Sequence, residues 1–382
     1  MKIHISEPYR IFFPVGLFLG FWGGLMWILF YFHQIAYPVI QHPTTMMGGF
    51  LLCFVCGFLM TAAPKFTGSH PMTSFEFSWS LILIALLAIF SVFFIPKYFY
   101  LLSGVIFISL IIYFLRRFLN RSQNPPPPFV FIGLGLSMGL VGSLGLFFSE
   151  NFQIPEEWFR LFRLFYLQGY VLSLVVGVGS RLVVALLGHA PMPTEVMKMR
   201  AGHIKIFLAL MILFLLSYII EVFYEPILGQ VIKNSLVTFI CLRFWKIHRK
   251  PASGTRHAWG LLISAWLMLF GLWGSLWTDY RIHFAHIFYI GGLGLITLLI
   301  AVRVVLSHGQ HGLRLESQTW FIPIFSGLVI AAAITRLSAG FVPQIYLNHL
   351  AYAATVWCVG LILWGVVLLP KIIRTKTLPP KN

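Results

Sequence analysis

Residues 42–50 read HPTTMMGGF, a histidine and two methionines ahead of a glycine pair. On a helix, residues four apart share a face, so His42 and Met46 would present an imidazole nitrogen and a thioether sulfur together. That pair suits copper or haem iron, both of which accept such ligands. Further along, IHFAHIFYIGG sets His283 and His286 one turn apart, again ahead of a glycine pair, and His349 stands at the start of another apolar stretch. A plainer use exists for each: an imidazole at a membrane boundary can bond a carbonyl or headgroup, and a methionine can fill a core gap. Glycines beside His42 and His286 permit close helix approach and favour a built site. Separate helices have to carry these side chains to one depth.

Those helices are plain in the composition. The chain of 382 residues is 59% hydrophobic, 17% aromatic and 10% charged, with a mean hydropathy of +0.88. Apolar stretches of ~20 residues, enough to cross ~30 Å of hydrocarbon, recur throughout. Backbone in lipid must satisfy its own hydrogen bonds, and the alternation of a membrane barrel is absent, so the fold class is all-α and polytopic. We read twelve transmembrane spans, near 11–33, 44–64, 75–95, 99–119, 128–149, 161–188, 203–224, 226–245, 257–277, 283–306, 319–340 and 345–369. The first is long and lacks a small-residue cleavage site, so we read it as a retained helix.

The formal charge of +17 points to nucleic acid only until the charges are placed. One side of the alternating spans gathers Arg116, Arg117, Arg121, Lys198, Arg200, Lys205, Arg243, Lys246, Arg249, Lys250 and Arg256, with Lys371, Arg374, Lys376 and Lys381 in the tail. The other side has Lys97, Arg160, Arg163 and Arg281, among Glu150, Glu156, Glu157 and Asp279. This asymmetry predicts cytoplasmic termini in a cytoplasmic membrane and a lipid partner, with no nucleic acid. It also sorts the histidines. His33, His42, His283, His286 and His349 fall outside, and His4, His70, His189, His203, His248, His257, His308 and His311 inside.

NPPPPF at 124–129 and RKPASGTRH at 249–257 punctuate the chain. They divide the single membrane domain into units of four spans, about 1–124, 125–250 and 251–382. The second, sixth and tenth spans each open with glycine (Gly49, Gly169, Gly291) and close with small residues and a histidine. Four helices return the chain to the same side, so the units would be parallel repeats with three glycine-rich helices on the inner wall. Cys53, Cys56, Cys241 and Cys358 all fall in spans. We read the C-x-x-C at 53–56 mainly as small apolar filling, with a metal or redox role as the alternative; no histidine follows it, which excludes covalent c-type haem.

Arg181, Lys233, Arg303 and Arg336 lie within spans, where an unpaired cation costs about 2.5–3.5 kcal/mol. Arg181 and Arg303 sit near inner ends and can snorkel to headgroups. Arg336 and Lys233 lie in outer halves, near the histidine layer. No carboxylate occupies the middle of a span; Glu76, Glu221 and Glu225 are near ends. Phosphate loops, zinc-protease motifs and nucleophile elbows are absent, which leaves a hydrolase or an ATP-driven pump without support.

Two stretches resemble a known family. GFLMTAAPKFTG at 57–68 and HIFYIGGLGLITLLIAVRVVLSHG at 286–309 are similar to the two signatures of the NnrS family, polytopic bacterial membrane proteins holding haem and copper and linked to nitric oxide and nitrosative stress. By that resemblance His42 and Met46 match the first histidine and the methionine of the family's W-H-x-H-E-M, and His286, Arg303 and His308 match the tenth-span pattern. Gln41, Thr44 and Thr45 stand where the family has tryptophan, histidine and glutamate.

The resemblance implies non-covalent b-type haem and copper, nitric oxide as a small ligand, and a respiratory-chain partner or a second copy of the chain. We expect His42 and His286 as ligands, His349 and Met46 as further candidates, and Arg336 beside haem propionates. Arg303 and His308 carry over from the pattern, His308 as a metal candidate. Whether turnover follows is left open. Two other classes fit the spans: a transporter for a small anion or neutral solute, and an assembly factor handing haem or copper to a respiratory enzyme.

Overall fold

A computed structural model describes residues 7–189 and 201–373. His4, Lys198, Arg200, Arg374, Lys376 and Lys381 lie outside the described residues. Among the described residues there is no strand, and twelve helices are long and apolar enough to cross a membrane. They are α1 Tyr9–Tyr31, α2 Gln41–Thr67, α3 Ser74–Val92, α4 Pro96–Leu119, α5 Pro127–Ser149 and α6 Glu156–Leu186. The second half adds α7 His203–Phe223, α8 Pro226–Trp245, α9 Arg256–Gly274, α10 Arg281–His308, α11 Phe321–Ser338 and α12 Pro343–Ile373.

Local chemistry sets the boundaries. Thr73 and Glu76 form a reciprocal capping box at the start of α3, each side chain taking the other's backbone N–H. Proline opens α4 and α8 at a position whose N–H has no helical partner. α2 ends where Gly68 turns left-handed at φ +60° and its N–H bonds Pro64 O. α6 begins earlier than hydropathy alone predicts. Its first turn carries Glu156 and Glu157, acids that complement the helix dipole and let the charged turn project past the hydrocarbon.

α2, α6 and α10 touch one another at the centre, and the other helices surround them in the order α1, α3, α4, α5, α7, α8, α9, α11, α12 and back to α1. Each quartet makes the same set of contacts. Its second helix is central and packs on the first and fourth; its first packs on the third, and its fourth on the next quartet's first. The three central helices share a further feature. Each is interrupted near its glycine by a π-helical segment, Thr45–Leu51, Phe165–Gly169 and Ile287–Gly294. Such wide turns recur at functional sites, because they re-aim the side chains on either side.

Hydroxyls lock the centre to the ring: Tyr113 donates to Met60 O at 2.7 Å, Ser173 to Phe131 O at 2.7 Å, and Tyr166 meets Ser103 at 2.9 Å. Lipid offers no hydrophobic drive between helices, so packing and such bonds hold the bundle. At the end of the bundle that carries Tyr9 and Ile373, Arg117 is fully buried on the Tyr113 ring and grips Glu76 with both terminal guanidinium nitrogens. All four cysteines are buried free thiols. Cys53 packs over Gly16 of α1, the small-filler role expected of it.

Candidate functional site

A cavity of about 720 Å³ opens at the end of the bundle opposite Tyr9 and Ile373. Its walls come from the late turns of α1, α7, α9 and α11 and the early turns of α2, α6, α8, α10 and α12. The volume falls in the range of about 300–1,000 Å³ typical of cofactor pockets. One half is apolar and aromatic, with Trp27, Phe50, Tyr289, Leu350 and Trp357. The other half carries Arg160, Arg163, Gln168, Glu221, Lys233 and Arg281.

His42 and His286 both line this cavity, and Met46 lines it beside His42. Two glycines of α1 make room for them. Gly23 lies under Met46, whose sulfur would stand 2.5 Å from an added Cβ, and the Gly23 carbonyl accepts from His42 Nδ1 at 2.9 Å. Gly24 lies against Trp357, another lining residue. His286 Nδ1 donates to Ile282 O at 2.6 Å. A carbonyl oxygen only accepts, so each Nδ1 carries a proton, and the neutral form of each ring has its lone pair on Nε2. Neither Nε2 has a hydrogen-bond partner among the described residues. Two imidazoles, tautomerically set as ligands, therefore face one pocket from two central helices.

His283, one turn from His286, serves a different purpose. Its Nδ1 accepts from Arg336 at 2.8 Å, and its ring lies over Gly340 and edge-on to Tyr346. Arg336 is 6% exposed, lines the cavity and pairs with no carboxylate among the described residues. A buried guanidinium whose side-chain partner is a neutral imidazole is half-satisfied, and an anion in the cavity would complete it. In the loop before α2, partial burial and the neighbouring Tyr346 hold the Tyr37 phenol above its ordinary range, so it faces the cavity as a neutral hydroxyl.

The remaining candidates are placed elsewhere. His349 is half-buried beside Tyr352, outside the lining, with Nδ1 unpartnered. Arg303 bonds Glu316 Oε2 and His308 meets Lys65 Nζ at 3.2 Å, both towards the end that carries Tyr9 and Ile373. Thr44 and Thr45 are buried outside the cavity lining; Thr44 meets Tyr100 OH at 3.2 Å, and Thr45 Oγ1 has no partner among the described residues. Gln41 ties α2 to the end of α3 by donating to Ser91 O at 3.0 Å. Among the described residues no three His, Cys, Asp or Glu side chains cluster as a metal site.

The sequence reading missed the polar wall. Glu221 is 1% exposed and binds Lys233 at 2.6 Å and Arg281 at 3.2 Å, while Lys233 also donates to Gln168 Oε1 at 2.7 Å. The only signal was a lysine within α8, which called for a partner.

Comparison with known proteins agrees with the two signatures. The family model described as NnrS protein matches residues 4–376, so the chain belongs to the NnrS family. No curated protein matches it.

Proposed function

We propose that the chain is a haem-binding protein of the bacterial cytoplasmic membrane, with the cavity facing the extracytoplasmic side, acting in the response to nitric oxide. The observation that carries this reading is the pair His42 and His286, each giving its Nδ1 proton to a carbonyl, each with Nε2 unshared among the described residues, and both lining one aromatic-walled cavity. The residues present fit haem: imidazoles for iron, Trp27 and Trp357 as flat apolar walls, and Arg336 as a cation awaiting propionate. Bound there, haem would supply an iron centre able to bind nitric oxide. The protein's part is to fix both imidazole tautomers, keep bulk water from the apolar half and hold a positive charge at Arg336. For copper, His42, His286 and Met46 are the donors at hand, and they overlap the haem set. A respiratory donor or a second copy of the chain would dock at the cavity's mouth.

Purified full-length protein should show a Soret band, and His42→Ala and His286→Ala should each cut haem content at least ~10-fold, the equivalent of ~1.4 kcal/mol of binding. A full Soret band in both variants would refute the assignment. A folded, colourless, metal-free sample would favour transport of a small solute, and substoichiometric exchangeable haem would favour an assembly factor.

A further inference from the structure

A second, smaller cavity of about 50 Å³ lies between the three central helices. Its walls include Phe54 of α2, Leu174 and Val175 of α6, and Thr297 and Ala301 of α10, with Phe13 of α1 at one side. On each central helix these residues follow that helix's own π segment, so the three contribute at corresponding levels. Thr297 carries the one side-chain polar atom in the lining. A single hydroxyl cannot hold a water, which needs two to four polar partners, and apolar cavities of this kind stay dry and accept apolar guests. The space exceeds the ~10–15 Å³ that a single water needs and is too small for an organic cofactor.

We propose that this cavity is a docking site for a small uncharged diatomic gas. Naming nitric oxide as that gas rests on the functional reading above; the site itself does not. Phe50 lines the large cavity and Phe54 the small one. They are one turn apart on α2 with ring centroids at 5.2 Å, edge to face, and Phe54 also stacks on Phe13 at 4.8 Å. The partition between the two chambers is therefore aromatic, and rotation of Phe50 or Phe54 is the movement that joins them. An apolar gas dissolving from lipid would pass between helices of the surrounding ring, wait on the dry side of this partition, and reach the histidine chamber from within the bundle.

Xenon is the probe, since it matches an apolar diatomic in size and scatters anomalously. Crystals of the full chain pressurised with xenon should show a peak between Phe54, Leu174 and Ala301. Ala301→Leu, which fills the space, should lower its occupancy at least ~10-fold, and Thr297→Val should keep it. Should Ala301→Leu fail to fold, Val175→Leu repeats the filling from α6. No peak in the wild type, an ordered water on Thr297 that xenon does not displace, or an unchanged peak in the filled variants would each overturn the proposal. The Soret band of the same samples separates the two readings. Xenon bound in colourless protein leaves the gas site standing and sinks the haem assignment, whereas haem without xenon sinks the gas site alone.

Discussion

Replacing Lys233 with methionine is expected to lower the thermal midpoint of the purified protein sharply, because it strands the Glu221 carboxylate. The two side chains are each 2% exposed and meet at 2.6 Å. Removing one member of such a buried pair costs about 3–5 kcal/mol, since the remaining charge keeps its desolvation penalty and loses its compensation. Arg281 offsets part of that cost. Its guanidinium reaches the other Glu221 oxygen at 3.2 Å, but it is 48% exposed and exchanges the bond with water. Lys233→Met also takes from the Gln168 side-chain carbonyl its donor at 2.7 Å, leaving it the Tyr218 hydroxyl at 3.2 Å, and removes the cation held 4.2 Å above the Tyr218 ring. The double variant Lys233→Met/Glu221→Gln should recover most of the loss, because neither an unpaired charge nor a strong acceptor then remains. That rescue is the diagnostic: a thermodynamic cycle over the four proteins reads the coupling directly. A Lys233→Met single variant as stable as wild type would show that the pair does not hold α7 to α8.

The same pair shows where sequence reading stops. Hydropathy fixed the twelve spans, because the length of an apolar run is a local property that the bilayer thickness tests directly. Glycine content likewise picked out α2, α6 and α10 as central. Glu221, two residues before the end of α7, reads locally as an interfacial acid. Its burial depends on Gln168 and Lys233, which arrive from α6 and α8, and no local pattern encodes their arrival. The histidines divide in the same way. His42 and His286 were legible as members of one layer, but so was His283, only three residues and ~4.5 Å along the axis from His286. Which of the two faces the cavity is decided by rotation of α10 and by the π segment that begins at Ile287. His349 likewise enters α12 at the expected level and misses the lining. Depth is written in spacing; azimuth is set by packing.

Gly271→Ala is expected to destabilise the protein by about 1–3 kcal/mol, the usual cost of an overpacked contact that cannot relax. An added Cβ would stand 2.3 Å from Phe288 N and 2.7 Å from its Cα, so the clash is with backbone and no side-chain rotation relieves it. The contact is reciprocal: Gly292 of α10 brings a Cβ position within 2.7 Å of Met268 Cα on α9. α9 and α10 therefore approach as closely as helices joined by small residues do in membranes, where packing itself drives association. Phe288 lies two residues beyond His286, inside the π segment, so displacing α10 here moves the imidazole as well. Gly271→Ala should lower both the unfolding midpoint and haem retention. Gly327→Ala in α11, where nothing lies within 4 Å of the new Cβ, should leave both unchanged or raise the midpoint by the ~0.5–1 kcal/mol that alanine gains over glycine in a helix. Gly271→Ala and Gly292→Ala combined should cost less than their sum, since the first substitution already separates the two helices. Equal midpoints for Gly271→Ala and Gly327→Ala would mean that α9 and α10 are not in backbone contact, and the placement of His286 in the cavity wall would fall with that contact.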